Sequence, residues 1–114
     1  MIVIKRVYEP KNAGDGYRVL VDRLWPRGLS KEKAAIDSWM RDIGPSAELR
    51  KWFNHDPAKW PEFKKRYQWE LESKTTMLDE LKELSKAHDR LTLLYGAHDK
   101  QHNQAVVVAE ELAK

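Results

Sequence analysis

The chain of 114 residues contains no cysteine. Disulfides, thiolate zinc centres, iron–sulfur ligation and cysteine nucleophiles are excluded together, and a reducing, cytoplasmic setting is expected. Long apolar runs are also missing. Met1-Ile-Val-Ile4 is followed at once by Lys5, and no later stretch nears the roughly 20 apolar residues that span a bilayer, so neither a membrane segment nor an export signal is expected. No Gly-x-Gly-x-x-Gly, Walker-type or Gly-x-Ser-x-Gly pattern occurs, which counts against dinucleotide, P-loop and hydrolase-elbow sites; no cofactor is expected. Internal repeats and low-complexity tracts are absent too. The length admits one ordinary hydrophobic core and not two, so residues 1–114 are expected to form a single domain.

What the chain does have is a modest net charge of +3, unevenly placed. Residues 1–60 hold 12 Lys+Arg against 8 Asp+Glu, while residues 61–114 hold 9 against 10. A patch of that size suits nucleotides and other small anions better than long duplexes, which call for a stronger basic footprint. Five tryptophans supply large apolar area per residue, as a small core needs.

Ile2–Tyr8 and Arg18–Leu24 are rich in Val, Ile, Leu and Tyr and bracket the turn-forming stretch Glu9–Gly16, so both read as strands. Val19-Leu-Val21 is a continuous apolar run of the kind seen when both sheet faces are covered. A third strand is expected at Arg90–Gly96. Between them the pattern is helical. Ser30 can cap a turn over Lys31–Ala35. Ile36, Trp39, Met40 and Ile43 recur at helical spacing up to Gly44-Pro45. Ser46 restarts a helix with Leu49, Trp52 and Phe53 on one face, ended by Asp56-Pro57. Pro61 fits only a first helical turn, so the next helix begins near Trp60 with a buried stripe of Trp60, Phe63, Tyr67 and Leu71.

A second stripe, Met77 or Leu78, Leu81 and Leu84, is separated from the first by Ser73-Lys-Thr-Thr76, where a kink or break is expected. An unbroken helix over 61–87 would be longer than a small domain is wide. Residues 102–114 combine good helix formers with Val106-Val-Val108 and leave helix and strand both open. The expected fold class is α/β, with a short, mostly parallel sheet of about three strands flanked by helices.

The candidate site follows from the strand ends. Arg18-Val-Leu-Val-Asp-Arg-Leu-Trp-Pro-Arg-Gly28 closes an apolar strand with an arginine-rich turn braced by Trp25, Pro26 and Gly28. In open parallel sheets ligands bind at the carboxyl edge, and a second loop, Ala97–Gln101, leaves the third strand there. It leads to a segment whose first free amides would lie near Asn103 and Gln104. Arg23 and Arg27 are the expected anion ligands, although Arg23 could equally pair with Asp22 or another carboxylate for structural reasons. Tyr95 either places its hydroxyl at the pocket mouth or is an ordinary strand-end aromatic.

Histidine-aspartate pairs occur at His55-Asp56, His88-Asp89 and His98-Asp99, with His102 four residues past His98. Metal is not expected. Catalytic zinc generally takes three protein ligands, and Asp56 before Pro57 and His88 at a helix end have simpler roles as cap and dipole partner. His102 and His55 are the candidate acids or bases, with Asp22 or Asp99 to orient them. Trp69 lies off the helical stripe and is expected to pack under the short helices, the other reading being a partner surface.

These motifs, together with Glu48-Leu-Arg-Lys-Trp-Phe53, His55-Asp-Pro57, Thr92-Leu-Leu-Tyr95 and His102-Asn103, resemble the family of unknown function DUF488 in its short YeaO-like form, over nearly the whole chain. The resemblance implies a compact cytosolic α/β domain and carries no established reaction. Matched to this sequence, the family pattern picks out Asp22, Arg23, Trp25, Pro26, Arg27, Gly28, Trp52, Phe53, His55, Asp56, Arg66, Tyr67, Asp99, His102 and Asn103. The chain departs from it at His98, where the family often has Lys, and at Asn54 and Pro61.

The expected function is binding of a small phosphate- or carboxylate-bearing ligand at the strand carboxyl ends. Hydrolysis or group transfer would be the reaction class if the protein is an enzyme, which the sequence leaves open. The alternative is a non-enzymatic nucleic-acid or protein binding module in which Arg27, Lys31, Lys33, Arg50 and Lys51 track phosphates.

Overall fold

Apolar runs that lack alternation need cover on both faces, and the two most apolar strands receive it. In the computed structural model, which describes residues 1–114, β1 (Ile2–Arg6), β2 (Tyr17–Leu20), β3 (Ser38–Trp39) and β4 (Leu91–Tyr95) form one sheet in the order β1-β4-β2-β3. All neighbours are parallel, with Ile2 opposite Leu91, Tyr17 opposite Leu91 and Val19 opposite Ser38. Every residue of β4, the most carboxyl-terminal strand, is buried.

Side chains alternate across the sheet as strand geometry requires. Val19, Val21, Leu91, Leu93 and Tyr95 join the larger core with α2 (Ala47–Phe53), α3 (Trp60–Leu71), α4 (Thr75–Ala87) and α5 (Gln104–Leu112). Leu20 and Leu94 face the other way, onto Val7 and Ala34 of the short helix α1 (Lys31–Ala34), with Trp25 and Trp39 packed alongside. That second face has a polar layer as well. Arg18, fully buried, donates to the Asp15 carboxylate and to the carbonyls of Ala34 and Ala35, and Thr92 Oγ1 donates to the Asp15 carbonyl at 2.6 Å.

Helix boundaries follow their caps. Ser30, Ser46 and Asn103 each accept a backbone N–H of the following turn, opening α1, α2 and α5. Pro61 sits in the first turn of α3, and Phe63, Tyr67 and Leu71 are its buried residues. The chain breaks between Leu71 and Thr75, so the two apolar stripes belong to separate helices. Val106-Val-Val108 is helical: Val107 and Val108 are fully buried, and that packing overrides the β preference of the valines.

Three expectations are corrected. The segment Ile36–Ile43 is not a helix but the two-residue strand β3 followed by a 3-10 turn at Arg41–Ile43, which adds a short fourth strand to the sheet of about three expected. Trp39 decides this: its indole N–H donates to the Asp22 carbonyl at 2.7 Å and its ring meets Trp25 edge-on, which fixes the segment beside β2. The second strand ends at Leu20, and Leu24 is exposed on the turn beyond it. Trp69 does not pack under the short helices; it is 73% exposed, because Phe63, Tyr67 and Leu71 already fill the inward face of α3. No helix is long and apolar enough to cross a membrane.

Candidate functional site

The connections that follow β2 and β4 diverge. The chain after β2 runs to α1 on one face of the sheet, whereas the chain after β4 runs to α5 on the other. Such divergence opens a crevice at the carboxyl ends of adjacent parallel strands. Here it holds a cleft of about 520 Å³. Asp22, Arg23, Trp25 and Arg27 line it from the β2 side, and Asp99, His102 and Asn103 from the β4 side; His55 joins them from the turn after α2. Eight of the ten candidate residues expected from sequence therefore meet in one place.

The other two do not. Tyr95 is buried in the main core and lines no part of the cleft, since its position in β4 alternates onto the helix-covered face. Gly28 is also outside the lining; its φ of +75° shows its use, a turn conformation that other residues rarely adopt.

The two arginines of the turn differ. Arg23 donates through Nε to the Pro45 carbonyl and through Nη2 to the Gly44 carbonyl, both at 2.9 Å, and approaches Asp42 at 3.9 Å. Its fork is taken up by backbone, which makes it a brace between the β2 turn and the Gly44-Pro45 loop. That loop is held from below by Tyr67, whose buried hydroxyl donates to the Ile43 carbonyl at 2.6 Å, and by Lys74, which donates to the Gly44 carbonyl at 3.0 Å. Arg27 is exposed, and its own carbonyl accepts from Tyr8 Oη at 2.8 Å.

Arg50 is the residue that sequence reasoning assigned only to a surface track. It lines the cleft from α2, and its Nη1 is buried without a hydrogen-bond partner. Buried guanidinium donors are costly to leave unpaired. The helix that carries Arg50 is fixed at its start: Ser46 donates from N and from Oγ to the Glu70 carboxylate at 2.8 and 2.7 Å. The signal for Arg50 was its place one turn inside a capped helix, but the direction of that helix relative to the strand ends is a tertiary fact.

Two carboxylates have separate roles. Asp99 accepts from His102 Nδ1 at 2.8 Å and from the backbone N–H groups of Gln101 and His102. Those hydrogen bonds, the Gln101 amide first, hold its carboxyl below the ordinary aspartate value. The pairing sets the ring orientation and leaves Nε2 for other partners. Trp60 meets the His102 ring edge-on, with centroids 5.2 Å apart. Asn103 supports the same loop, donating to the Asp99 carbonyl at 2.9 Å while capping α5.

Asp22, by contrast, orients no histidine. Its carboxylate accepts from the Gly96 N–H at 2.8 Å and from Gln104 Nε2. Burial pushes it up to about 7 despite the Gly96 hydrogen bond. Gly96 is placed so closely that a β-carbon there would lie 3.0 Å from Asp22 Oδ2. His55 follows Asn54 in a pair of left-handed residues, at φ +56° and +45°. A histidine held in that region is uncommon, and such strain concentrates at ligand sites. No group of three or more His, Cys, Asp or Glu side chains is placed to hold a metal ion.

A family model described as "Inactive DUF488-N3 subclade" matches residues 1–114. The chain belongs to the DUF488 family. It is similar to the uncharacterized protein YeaO of Escherichia coli K12, 43% identical over 111 residues that cover 97% of this chain and 96% of that protein. It is also similar to the uncharacterized protein Rv3073c of Mycobacterium tuberculosis H37Rv, 45% identical over 82 residues that cover 72% of this chain and 69% of that protein. No solved structure matches this DUF488 chain.

Proposed function

We propose that this DUF488 protein binds a small phosphate- or carboxylate-bearing molecule in the cleft at the carboxyl ends of β2 and β4. The observation that carries the reading is Arg50, a half-buried guanidinium lining the cleft whose Nη1 is buried without a hydrogen-bond partner. An anion supplies the missing partner, and charge-assisted pairing with a planar guanidinium favours a carboxylate or phosphate. Arg27 adds a second, exposed positive charge from the turn. Arg23 serves by holding that turn and makes no ligand contact.

The role is binding without turnover. The Asp99–His102 pair gives the ligand a fixed ring nitrogen to meet, and the inactive description of the matching subclade agrees with that use. A nucleic-acid track is the weaker reading, because Arg27 and Arg50 line the cleft while Lys31, Lys33 and Lys51 do not, so the five do not share one surface feature.

Calorimetric titration with phosphate esters and carboxylates tests the reading. The native protein is expected to bind at least one of them, and Arg50→Gln to weaken that binding about tenfold to a hundredfold. Anion binding that is indifferent to Arg50→Gln, or binding only of oligonucleotides with a steep salt dependence, overturns it.

A further inference from the structure

Beside its arginines the cleft presents a second polar centre, of opposite sign, whose hydrogen-bonding capacity is unfilled. A carboxylate has about four lone-pair sites. On Asp22 the Gly96 N–H takes one on Oδ2 and Gln104 Nε2 takes one on Oδ1. Each oxygen keeps further capacity, and Gln104 Oε1 accepts from no group of the protein. Acceptors gathered in this way suit N–H donors.

The walls add a third requirement. Phe53, Phe63, Trp25, Pro26 and Pro45 line the same cleft. At about 520 Å³ it lies in the range of organic ligands, far larger than an inorganic anion can fill. A ligand that leaves the aromatic walls wet forfeits most of the binding energy available there. The occupant therefore needs a flat apolar body, an edge of N–H donors and one anionic group.

Resting on the anion-site reading above, we infer that the ligand is a nucleoside monophosphate with an amino-bearing base. The base donates to Asp22 and Gln104 and lies against the aromatic wall, and the phosphate pairs with Arg50 and Arg27. Asp22 and Gln104 are then the specificity-determining residues and Arg50 the phosphate anchor.

Titration of AMP, GMP, CMP, UMP, their nucleosides and inorganic phosphate into the native protein, Asp22→Asn, Gln104→Met and Arg50→Gln tests this. At least one amino-bearing monophosphate is expected to bind about tenfold or more tighter than UMP and than inorganic phosphate. Asp22→Asn and Gln104→Met should each shrink the preference over UMP to about threefold or less, while Arg50→Gln should shrink the gap between nucleotide and nucleoside. Two variants guard against a folding defect in either, each checked by its melting temperature. Arg50-dependent binding of anions with no base preference, or a preference that survives in both Asp22→Asn and Gln104→Met, overturns this inference and leaves the anion site standing. Absence of any Arg50-dependent anion binding overturns both.

Discussion

The two ends of β2 each gather an arginine and a carboxylate, and they use them in opposite ways. At the amino end, Arg18 has its donors met by Asp15 and by the carbonyls of Ala34 and Ala35, and Lys5 neutralises the same aspartate from β1 at 2.9 Å. Burial works against ionisation of Asp15, but the Asn12 backbone and the Lys5 and Arg18 side chains outweigh it, and its carboxyl lies below the ordinary value. At the carboxyl end Arg50 lacks a partner and Asp22 is raised to about 7, with no cation among the causes of its shift. A saturated polar cluster is a fastener; an unsaturated one costs stability and is the mark of a place reserved for a ligand.

Breaking the fastener should have the largest effect. Arg18→Met strands Asp15 and two buried carbonyls, and the loss expected is about 3 kcal/mol or more, read as a lower urea midpoint. Arg50→Gln in the absence of ligand should by contrast change stability by less than about 1 kcal/mol, so that equal losses in the two variants would erase the contrast.

The next effect is pH dependence. Because the folded-state value of Asp22, about 7, lies above its unfolded value, the folded protein holds more protons across the interval between about 4 and 7. The Asp22 contribution to stability is therefore lost as pH rises through that interval. Asp22→Asn should flatten the profile, and the difference between native protein and variant across it is the quantity to measure. A smaller effect than these is expected on ligand affinity from Gly96→Ala, whose β-carbon presses on Asp22 Oδ2 at 3.0 Å. Ligand affinity should fall several-fold with a drop in melting temperature of only a few degrees, consistent with a cost near 1 kcal/mol.

Much of this was legible in the sequence where local rules apply. Trp60 as a helix start, the break before Thr75 and the Ser30 and Ser46 caps follow from proline geometry and side-chain hydrogen bonding, and the structure agrees. Strand ends carrying Asp22, Arg27 and Asp99 to one edge followed from parallel-sheet logic. Residues 36–43 were not legible, because Ile36, Trp39, Met40 and Ile43 satisfy a helical period while a two-residue strand offers no period at all. Nor could the division of labour among arginines be read. Whether Arg23 or Arg50 finds carbonyls depends on the Gly44-Pro45 loop, 21 residues along the chain from Arg23, and only tertiary structure brings it there.

The strand order β1-β4-β2-β3 also sets the timetable of folding. β1 and β2, although first to be synthesised, have no ladder with each other; β2 can pair early only with the two residues of β3, β1 has no partner before β4, and Leu91 N must travel back to the carbonyl of Met1. Closing so long a loop delays formation of the sheet until nearly the whole chain is available. The residues that complete the cleft, Asp99 to Gln104, follow directly on that last strand. An incomplete chain lacking β4 keeps only the short β2–β3 pairing and has no complete ligand site, so assembly of the full sheet and competence to bind arrive in the same event.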